Sequence, residues 1–189
     1  MANLKREIYF QKERTGTYSK TISHLWGADE KIDVDTNVHS SEEWGVALTI
    51  MPSVPYPNMK ELYKNDWKDE NGDDEFVPDE PVFEAQELEL GFTYSGEYGT
   101  ATTKIRSFLN YLAYGGEFMM WIGGSNYGRK SCRYESYADD AQCFTQKVYE
   151  NGKEKDLETV NFKVTIKVND PVTLVRPQYQ NGGVKELTT

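Results

Sequence analysis

The sequence predicts a small α+β domain in which β-strands predominate. Several segments alternate apolar and polar side chains with a period of two, most clearly residues 158–168. One segment instead repeats its apolar residues at the spacing of a helix, and glycine, proline and Asn-Gly pairs separate the segments as turns do. A chain of 189 residues suits one such domain.

Two strands are predicted in the N-terminal part of the chain. In residues 31–38, Ile32 and Val34 alternate with acidic side chains, and residues 45–51 place three apolar side chains on one face. Three prolines follow within six residues, so regular strand pairing should stop there.

A strand at residues 87–94 precedes the one helix that the sequence predicts. The apolar residues of this helix fall at positions i, i+3, i+4 and i+7, so it presents one apolar stripe that we expect to pack on a sheet. Thr100 is placed to cap its N-terminus and Gly115 to end it. The stripe consists of Ile105, Phe108, Leu109 and Leu112.

The C-terminal half is predicted to be β-structure. Asn151-Gly152 indicates a tight hairpin, and the glycine-rich residues 123–128 form an earlier turn. The predicted strands cover residues 117–122, 130–137, 142–150 and 158–168. The residues predicted for the core are Leu88, Leu90, Phe92, Ile105, Phe108, Leu109, Leu112, Phe162, Val164 and Ile166.

The sequence pattern divides the chain into three parts. We expect residues 1–31 to be an N-terminal arm or a first strand, residues 32–172 to be the β-rich domain, and residues 173–189 to be a C-terminal tail. Within the domain, residues 66–84 hold nine acidic side chains and one basic one, which predicts a solvated acidic loop.

Charge and composition exclude some classes of function. The formal net charge of −10 disfavours binding to nucleic acid or to an anionic membrane, since both would repel the chain. No apolar run is long enough to span a bilayer, and the first twenty residues do not resemble a secretory signal. Two cysteines cannot build a disulfide framework, so synthesis inside the cell with free thiols is the expectation.

Two segments resemble ligand-binding loops without meeting their requirements. Residues 123–131 come close to a phosphate-binding loop, but an alternating strand follows where a helix is needed, so we interpret the segment as a hairpin turn. Residues 69–80 space their acids like a calcium loop, but Asp74 occupies the position that requires glycine.

Histidine and cysteine residues do not indicate a catalytic or metal centre. His24, His39, Cys132 and Cys143 lack the close spacing of zinc ligands, and no nucleophile–base pair is evident. We therefore predict no catalytic residue, no metal, no cofactor and no enzymatic activity.

The order of the pieces resembles the N-terminal, tail-tube-like domain of the distal tail protein family of long-tailed bacteriophages, as found in prophages. The matching pieces are residues 45–52, 55–57, 65–73, 88–94, 105–109, 127–130 and 160–171, within residues 32–172. The acids around Trp67 replace a basic residue and a glycine of that family, and no carbohydrate-like second domain follows.

The resemblance implies a β-sandwich or barrel-like domain with one helix packed against it. It also implies a non-enzymatic ring of six copies at the distal end of a tail tube, in contact with other tail proteins. The location would be the virion tail, assembled in the cytoplasm of a bacterial host. We expect the acidic loop to face the channel, where carboxylates would repel DNA, or to meet a neighbouring copy. The candidate residues are Asp66, Trp67, Asp69, Asp73, Asp74 and Glu75.

Two other functions stay open at this level. A carbohydrate-binding β-sandwich module could use its aromatic side chains, among them Trp26, Trp44, Trp67 and Trp121, to stack on sugar rings. A small hydrolase could use paired acids, since an acidic chain always offers candidates.

Overall fold

The computed structural model describes residues 7–13, 20–22, 30–32, 37–51, 56–65, 68, 74–150 and 152–189. Within them, one α-helix and one 3₁₀ helix accompany a set of β-strands. The strands are β1 (Ile8–Lys12), β2 (Lys20–Ile22), β3 (Glu30–Ile32), β4 (His39–Ser40), β5 (Val46–Ile50), β6 (Lys64–Asn65), β7 (Asp74–Glu75), β8 (Gln86–Glu97), β9 (Phe118–Ile122), β10 (Gly128–Glu150), β11 (Lys153–Val168), β12 (Arg176–Gln180) and β13 (Gly183–Thr188). The α-helix is α1 (Ala101–Ala113), and the 3₁₀ helix is Ser41–Trp44.

The centre of the fold is a seven-stranded antiparallel sheet with the order β4-β1-β9-β10-β11-β8-β5. Its two ends do not meet, so the sheet is open. The pairs β2–β3, β6–β7 and β12–β13 form separate two-stranded ladders. The fold is therefore α+β and mainly β, as the sequence predicted.

Helix α1 covers one face of the sheet and creates the core. Phe108 lies at its centre, with its ring 5.2 Å from that of Phe92 and 5.8 Å from that of Phe10. Of the residues predicted for the core, all are buried except Leu109, which is partly buried and packs against the others. The helical spacing places Leu109 at the margin of the apolar stripe.

The C-terminal residues cover part of the opposite face. Strands β12 and β13 form a hairpin. The sequence pattern predicts a C-terminal tail for these residues. Val175 and Leu187 are buried against Trp121 on β9. The chain approaches β10 so closely that a Cβ on Gly128 would lie 2.2 Å from the Val175 carbonyl oxygen, so only glycine fits there.

Two sequence-based boundaries differ from the structure. Residues 130–137 and 142–150, predicted as separate strands, belong to the single strand β10. Its partner β11 starts at Lys153, five residues before the predicted start. Irregularities in register at 134–136 and 139–142 interrupt the alternation in β10, although the hydrogen-bonded pairing continues.

The N-terminal residues contribute a central strand. β1 lies between β4 and β9, and Ile8 and Phe10 are fully buried. The predicted strand at 31–38 coincides with the end of β3 at Ile32, and residues 33–36 lie outside the described part of the chain.

Candidate functional site

The longest uncovered edge in the described part of the chain belongs to β10. Strand β9 pairs with β10 between Gly128 and Cys132 only, whereas β11 pairs with it over its whole length. From Arg133 to Glu150, β10 therefore has a described neighbour on one side alone. No described strand pairs with the other side of this stretch, so that side can accept a strand from outside the sheet.

A strained residue lies within the short pairing of β9 with β10. Ser131 has a φ of +49°, which is uncommon for a residue with a side chain, and a bulge lies between Arg129 and Cys132. The Ser131 N–H donates to a carboxylate oxygen of Glu13 at 2.5 Å, and its carbonyl accepts from the Asn169 N–H at 3.0 Å. These contacts hold the bulge in place, and the pairing ends just beyond it, at Cys132 and Phe118, where β9 begins.

A further edge lies at the β5 end of the sheet, whereas the opposite end of the strand order is the two-residue strand β4. β5 pairs with β8 on one side and has no described partner strand on the other. The side chains of Val46 and Leu48 are buried, while Thr49 and Ile50 are exposed. The β5 and β10 edges differ in sequence and length, so a contact between them would join unlike surfaces of two copies.

Beyond residue 139, the β10–β11 hairpin extends away from the core. β8 pairs with β11 from Leu157 onwards, so the tip has no third strand. Phe144 and Tyr149 expose 55% and 74% of their surface, although large aromatic residues are usually buried. Exposed apolar side chains on a projecting hairpin are typical of a surface that contacts another protein.

Helix α1 connects to the base of this hairpin through Glu158 of β11. One carboxylate oxygen of Glu158 accepts the N–H groups of Gly99 at 3.0 Å and Ala101 at 3.4 Å. Thr100 occupies the predicted N-cap position, but its hydroxyl donates to the Glu97 carbonyl and makes no capping bond. The acid that complements the N-terminus of α1 therefore comes from a strand 57 residues further along the chain.

The other end of α1 is complemented by Lys12 of β1. The ammonium group of Lys12 donates to the Leu112 carbonyl at 3.1 Å and lies over the rings of Tyr111 and Phe118, at 5.1 and 4.9 Å. Lys12 exposes 2% of its surface. This burial lowers the pKa of its amino group to about 7.

An irregular arm precedes β8. The residues before β6 run antiparallel to those after β7, with backbone bonds from Lys60 to Val82, Glu84 to Asn58 and Phe76 to Tyr63. Its exposed apolar residues are Tyr56, Met59, Tyr63, Phe76, Val77 and Val82. A segment with so many exposed apolar side chains has no core of its own.

Two of the six candidate residues of the acidic loop, Asp74 and Glu75, lie in described parts of this arm. Asp66, Trp67, Asp69 and Asp73 lie outside the described residues. Asp74 pairs with Asn65 in the β6–β7 ladder. Glu75 forms an ion pair with Lys64 at 2.7 Å, an exposed contact of small energetic weight.

Other residues singled out by the sequence have structural roles. Cys132 is buried in the core, which raises the pKa of its thiol, whereas Cys143 is exposed. His39 contacts Glu43 at 2.8 Å, and its ring makes an edge-to-face contact with Tyr111. Residues 123–127 form the turn between β9 and β10.

The described tryptophans do not form an aromatic platform. Trp121 is 9% exposed beneath the C-terminal hairpin, and Trp44 packs against Phe108 and Tyr111. Trp26 and Trp67 lie outside the described residues.

A hollow of about 170 Å³ lies where the arm meets β8. It is lined by Tyr56, Asn58, Glu84, Ala85, Gln86 and Glu87, which include no histidine, cysteine, serine or lysine to serve as a base or nucleophile. In the part of the chain that the structure describes, no three His, Cys, Asp or Glu side chains are grouped to hold a metal ion, and no helix could cross a membrane.

Comparison with known proteins finds a solved structure to which this chain is similar. No family model matches this chain, and no curated protein matches it. The crystal structure of the SPP1 Dit (gp 19.1) protein, described as a paradigm of the hub adsorption apparatus in Gram-positive-infecting phages, aligns with a TM-score of 0.46 and 12% sequence identity. The alignment covers 70% of this chain and 47% of that one, so this chain spans about half the length of the protein it matches.

Proposed function

We propose that this protein is a non-enzymatic structural component of a phage tail or tail-like assembly, which associates with itself to form a ring at the distal end of a tail tube. The observation that carries the proposal is that two unlike strand edges of one open sheet, β5 and residues 133–150 of β10, have no described partner strand on their outer side. Joining one edge to the other edge of the next copy extends the sheet, and a constant rotation closes it into a ring.

The sequence resemblance described above agrees with this role. It suggests six copies, contact with other tail proteins and a place in the virion tail. The exposed apolar residues of the arm would supply a second contact between copies, and the acidic-loop candidates Asp66, Trp67, Asp69, Asp73, Asp74 and Glu75 would contribute to that contact. This arm would reach beyond the sheet edge towards a neighbour.

The proposal is tested by mixing two edge variants. Lysine side chains on an edge oppose strand addition, so Ser136→Lys/Phe144→Lys should block the β10 edge and Ala47→Lys/Thr49→Lys the β5 edge. Each variant alone should be monomeric by light scattering, and an equimolar mixture should form dimers only, through the intact edges. The wild-type chain should form larger rings.

The control variant is Tyr98→Lys/Tyr179→Lys, which replaces two exposed aromatic residues away from both edges. It should associate like the wild type. A wild-type chain that is monomeric at all concentrations, and that instead binds glycans on an array, would replace the proposal with the carbohydrate-binding alternative.

A further inference from the structure

Among the described residues, two charged side chains are buried, and both are basic. They are Lys12 and Arg129, which expose 2% and 6% of their surface. Lys12 avoids part of the cost of a buried charge by releasing its proton, since burial lowers the pKa of its amino group to about 7. A guanidinium group keeps its charge, so Arg129 needs a partner that compensates it inside the fold.

The protein contacts of Arg129 do not compensate its charge. Its Nη1 donates to the carbonyl of the adjacent Gly128 at 3.1 Å, and its Cζ lies 4.5 Å from the centre of the Tyr127 ring. Its Nε is buried and has no acceptor. No acidic side chain in the described part of the chain forms an ion pair with it. A buried guanidinium without a counter-charge is strongly destabilising.

A second unpartnered donor is close to this guanidinium. Tyr127 exposes 5% of its surface, and its hydroxyl is buried with no hydrogen-bond partner. Burial raises the pKa of this hydroxyl to about 12, although the positive charge of Arg129 acts in the opposite direction. The hydroxyl therefore stays protonated and can donate a hydrogen bond.

The acidic side chains of this neighbourhood already have other partners. Burial raises the pKa of the Cys132 thiol, and the charges of Glu13 and Glu117 raise it further, while the guanidinium lowers it. A carboxylate oxygen of Glu13 accepts the Ser131 N–H, and one of Glu117 accepts the side-chain amide of Asn169 at 2.9 Å. The described chain thus leaves the guanidinium Nε and the tyrosine hydroxyl without an acceptor.

We propose that Arg129 and Tyr127 bind a small monovalent anion, chloride or one of similar size, at the edge of the core. An anion accepts hydrogen bonds from both groups and also neutralises the guanidinium, whereas a water molecule does only the first. The local donors and positive charge select an anion even though the whole chain carries a net charge of −10. Because both side chains are almost closed off from solvent, the ion enters by local opening of the fold.

The site lies where three segments meet. Arg129 lies between Met120 of β9 and Leu174, with which it forms an isolated bridge. The Gly128 carbonyl that accepts from the guanidinium also accepts the Val175 N–H at 3.2 Å. A bound anion therefore stabilises the junction of β9, β10 and the segment that leads into the C-terminal hairpin, and folding is coupled to anion binding.

The test compares the stability of the full chain in sodium chloride and in sodium gluconate, whose anion is too large for the site. Urea unfolding at equal sodium concentration separates anion binding from screening, which is the same in both salts. At a chloride concentration ten times the dissociation constant, the equilibrium constant for folding should be about elevenfold higher than in gluconate. Equal stability in the two salts at every concentration would overturn the proposal.

Two arginine variants show whether the chloride effect belongs to this site. Arg129→Gln removes the buried charge and should abolish the difference between the two salts. Arg176→Gln makes the same change on an exposed arginine of β12 and should keep the difference at its wild-type size. A difference of the same size in both variants would overturn the proposal.

Tyr127→Phe keeps the proposal testable if Arg129→Gln does not fold. The variant loses one hydrogen bond to a charged acceptor, so it should need about tenfold more chloride for the same stabilisation. If the hydroxyl has no partner, its removal should leave stability equal or higher and the chloride dependence unchanged. A loss of stability that is the same in both salts would instead indicate a bound water. Either of these two results would overturn the proposal.

Discussion

At the scale of single residues, Lys12 carries an amino group into the core between α1 and β9. Its partners are a carbonyl oxygen at the end of α1 and two aromatic rings, and none of these neutralises a full positive charge. Because the pKa falls from 10.5 to about 7, the folded protein releases a proton that the unfolded chain keeps. Folding is therefore coupled to pH through this one side chain.

The free energy of unfolding should rise by about 2–3 kcal/mol between pH 7 and 9, since the unfolded chain binds the extra proton throughout that interval. Below about pH 6 both states are protonated and the contribution of Lys12 no longer changes. Urea unfolding followed by circular dichroism at several pH values measures this. Lys12→Met should remove the rise, whereas Lys104→Met on the exposed side of α1 should keep it. An equal rise in both variants would contradict the assignment.

At the scale of elements, α1 is held at each end by a charged side chain from a strand. Glu158 complements the N-terminus and Lys12 the C-terminus, while the helix itself has no acid in its first turn and no base in its last. Glu158 places a negative charge where the helix dipole favours it, and Lys12 donates a hydrogen bond to the last turn. It also ties the helix to β11, at the base of the projecting hairpin.

Glu158→Ala should lower the free energy of unfolding by about 1–2 kcal/mol, because two backbone N–H groups lose their acceptor. Glu158→Gln keeps an acceptor oxygen and loses only the charge, so about half of that loss is expected. Chemical denaturation measures both. Glu154→Ala, which breaks an exposed ion pair with Lys147 near the tip, is the control and should change stability by less than about 0.5 kcal/mol. A loss as small for Glu158→Ala would show that Glu158 does not cap α1.

At the scale of the whole molecule, the β5 and β10 edges lack a described partner strand on one side, while the chain carries a large negative charge. Copies that approach one another repel, so backbone pairing at these edges would have to overcome this repulsion. In the proposed ring, the distribution of charge would therefore affect how readily copies associate, and the edges would determine the geometry.

Self-association should become stronger when salt is added, because ions screen the repulsion between copies within about 10 Å at 0.1 M salt. Light scattering at low and moderate ionic strength, at one protein concentration, measures the change. If the acidic tip of the arm instead binds a basic surface of the neighbour, association would weaken with salt, and backbone pairing would not be the main contact.

Sequence patterns predicted the burial of side chains within regular strands and helices. The alternation in 158–168 and the stripe from Ile105 to Leu112 place the core correctly, since a side chain's burial follows from its position along a regular strand or helix. The division of β10 into two strands was wrong, because bulges shift the alternation while hydrogen bonds to β11 maintain the strand.

Several contacts of the structure join residues that are distant in the chain, so no local sequence pattern predicts them. Glu158 is a polar residue on an alternating strand, and only the packed helix makes it a cap. Lys12 resembles any lysine in a charged N-terminal segment, yet it is buried. The bulge at Ser131, within the pairing of β9 with β10, is held by Glu13, more than one hundred residues earlier.

The sequence by itself determined the fold class, the single helix, the apolar side chains of the core and the excess of negative charge. Each of these follows from side-chain chemistry repeated at the period of a local structure. Tertiary structure alone decided which strand edges stay open, which charges face one another across strands and which lysine enters the core. Those properties depend on the order and register of strands that are distant in the chain, and the free energy of packing the whole domain selects them.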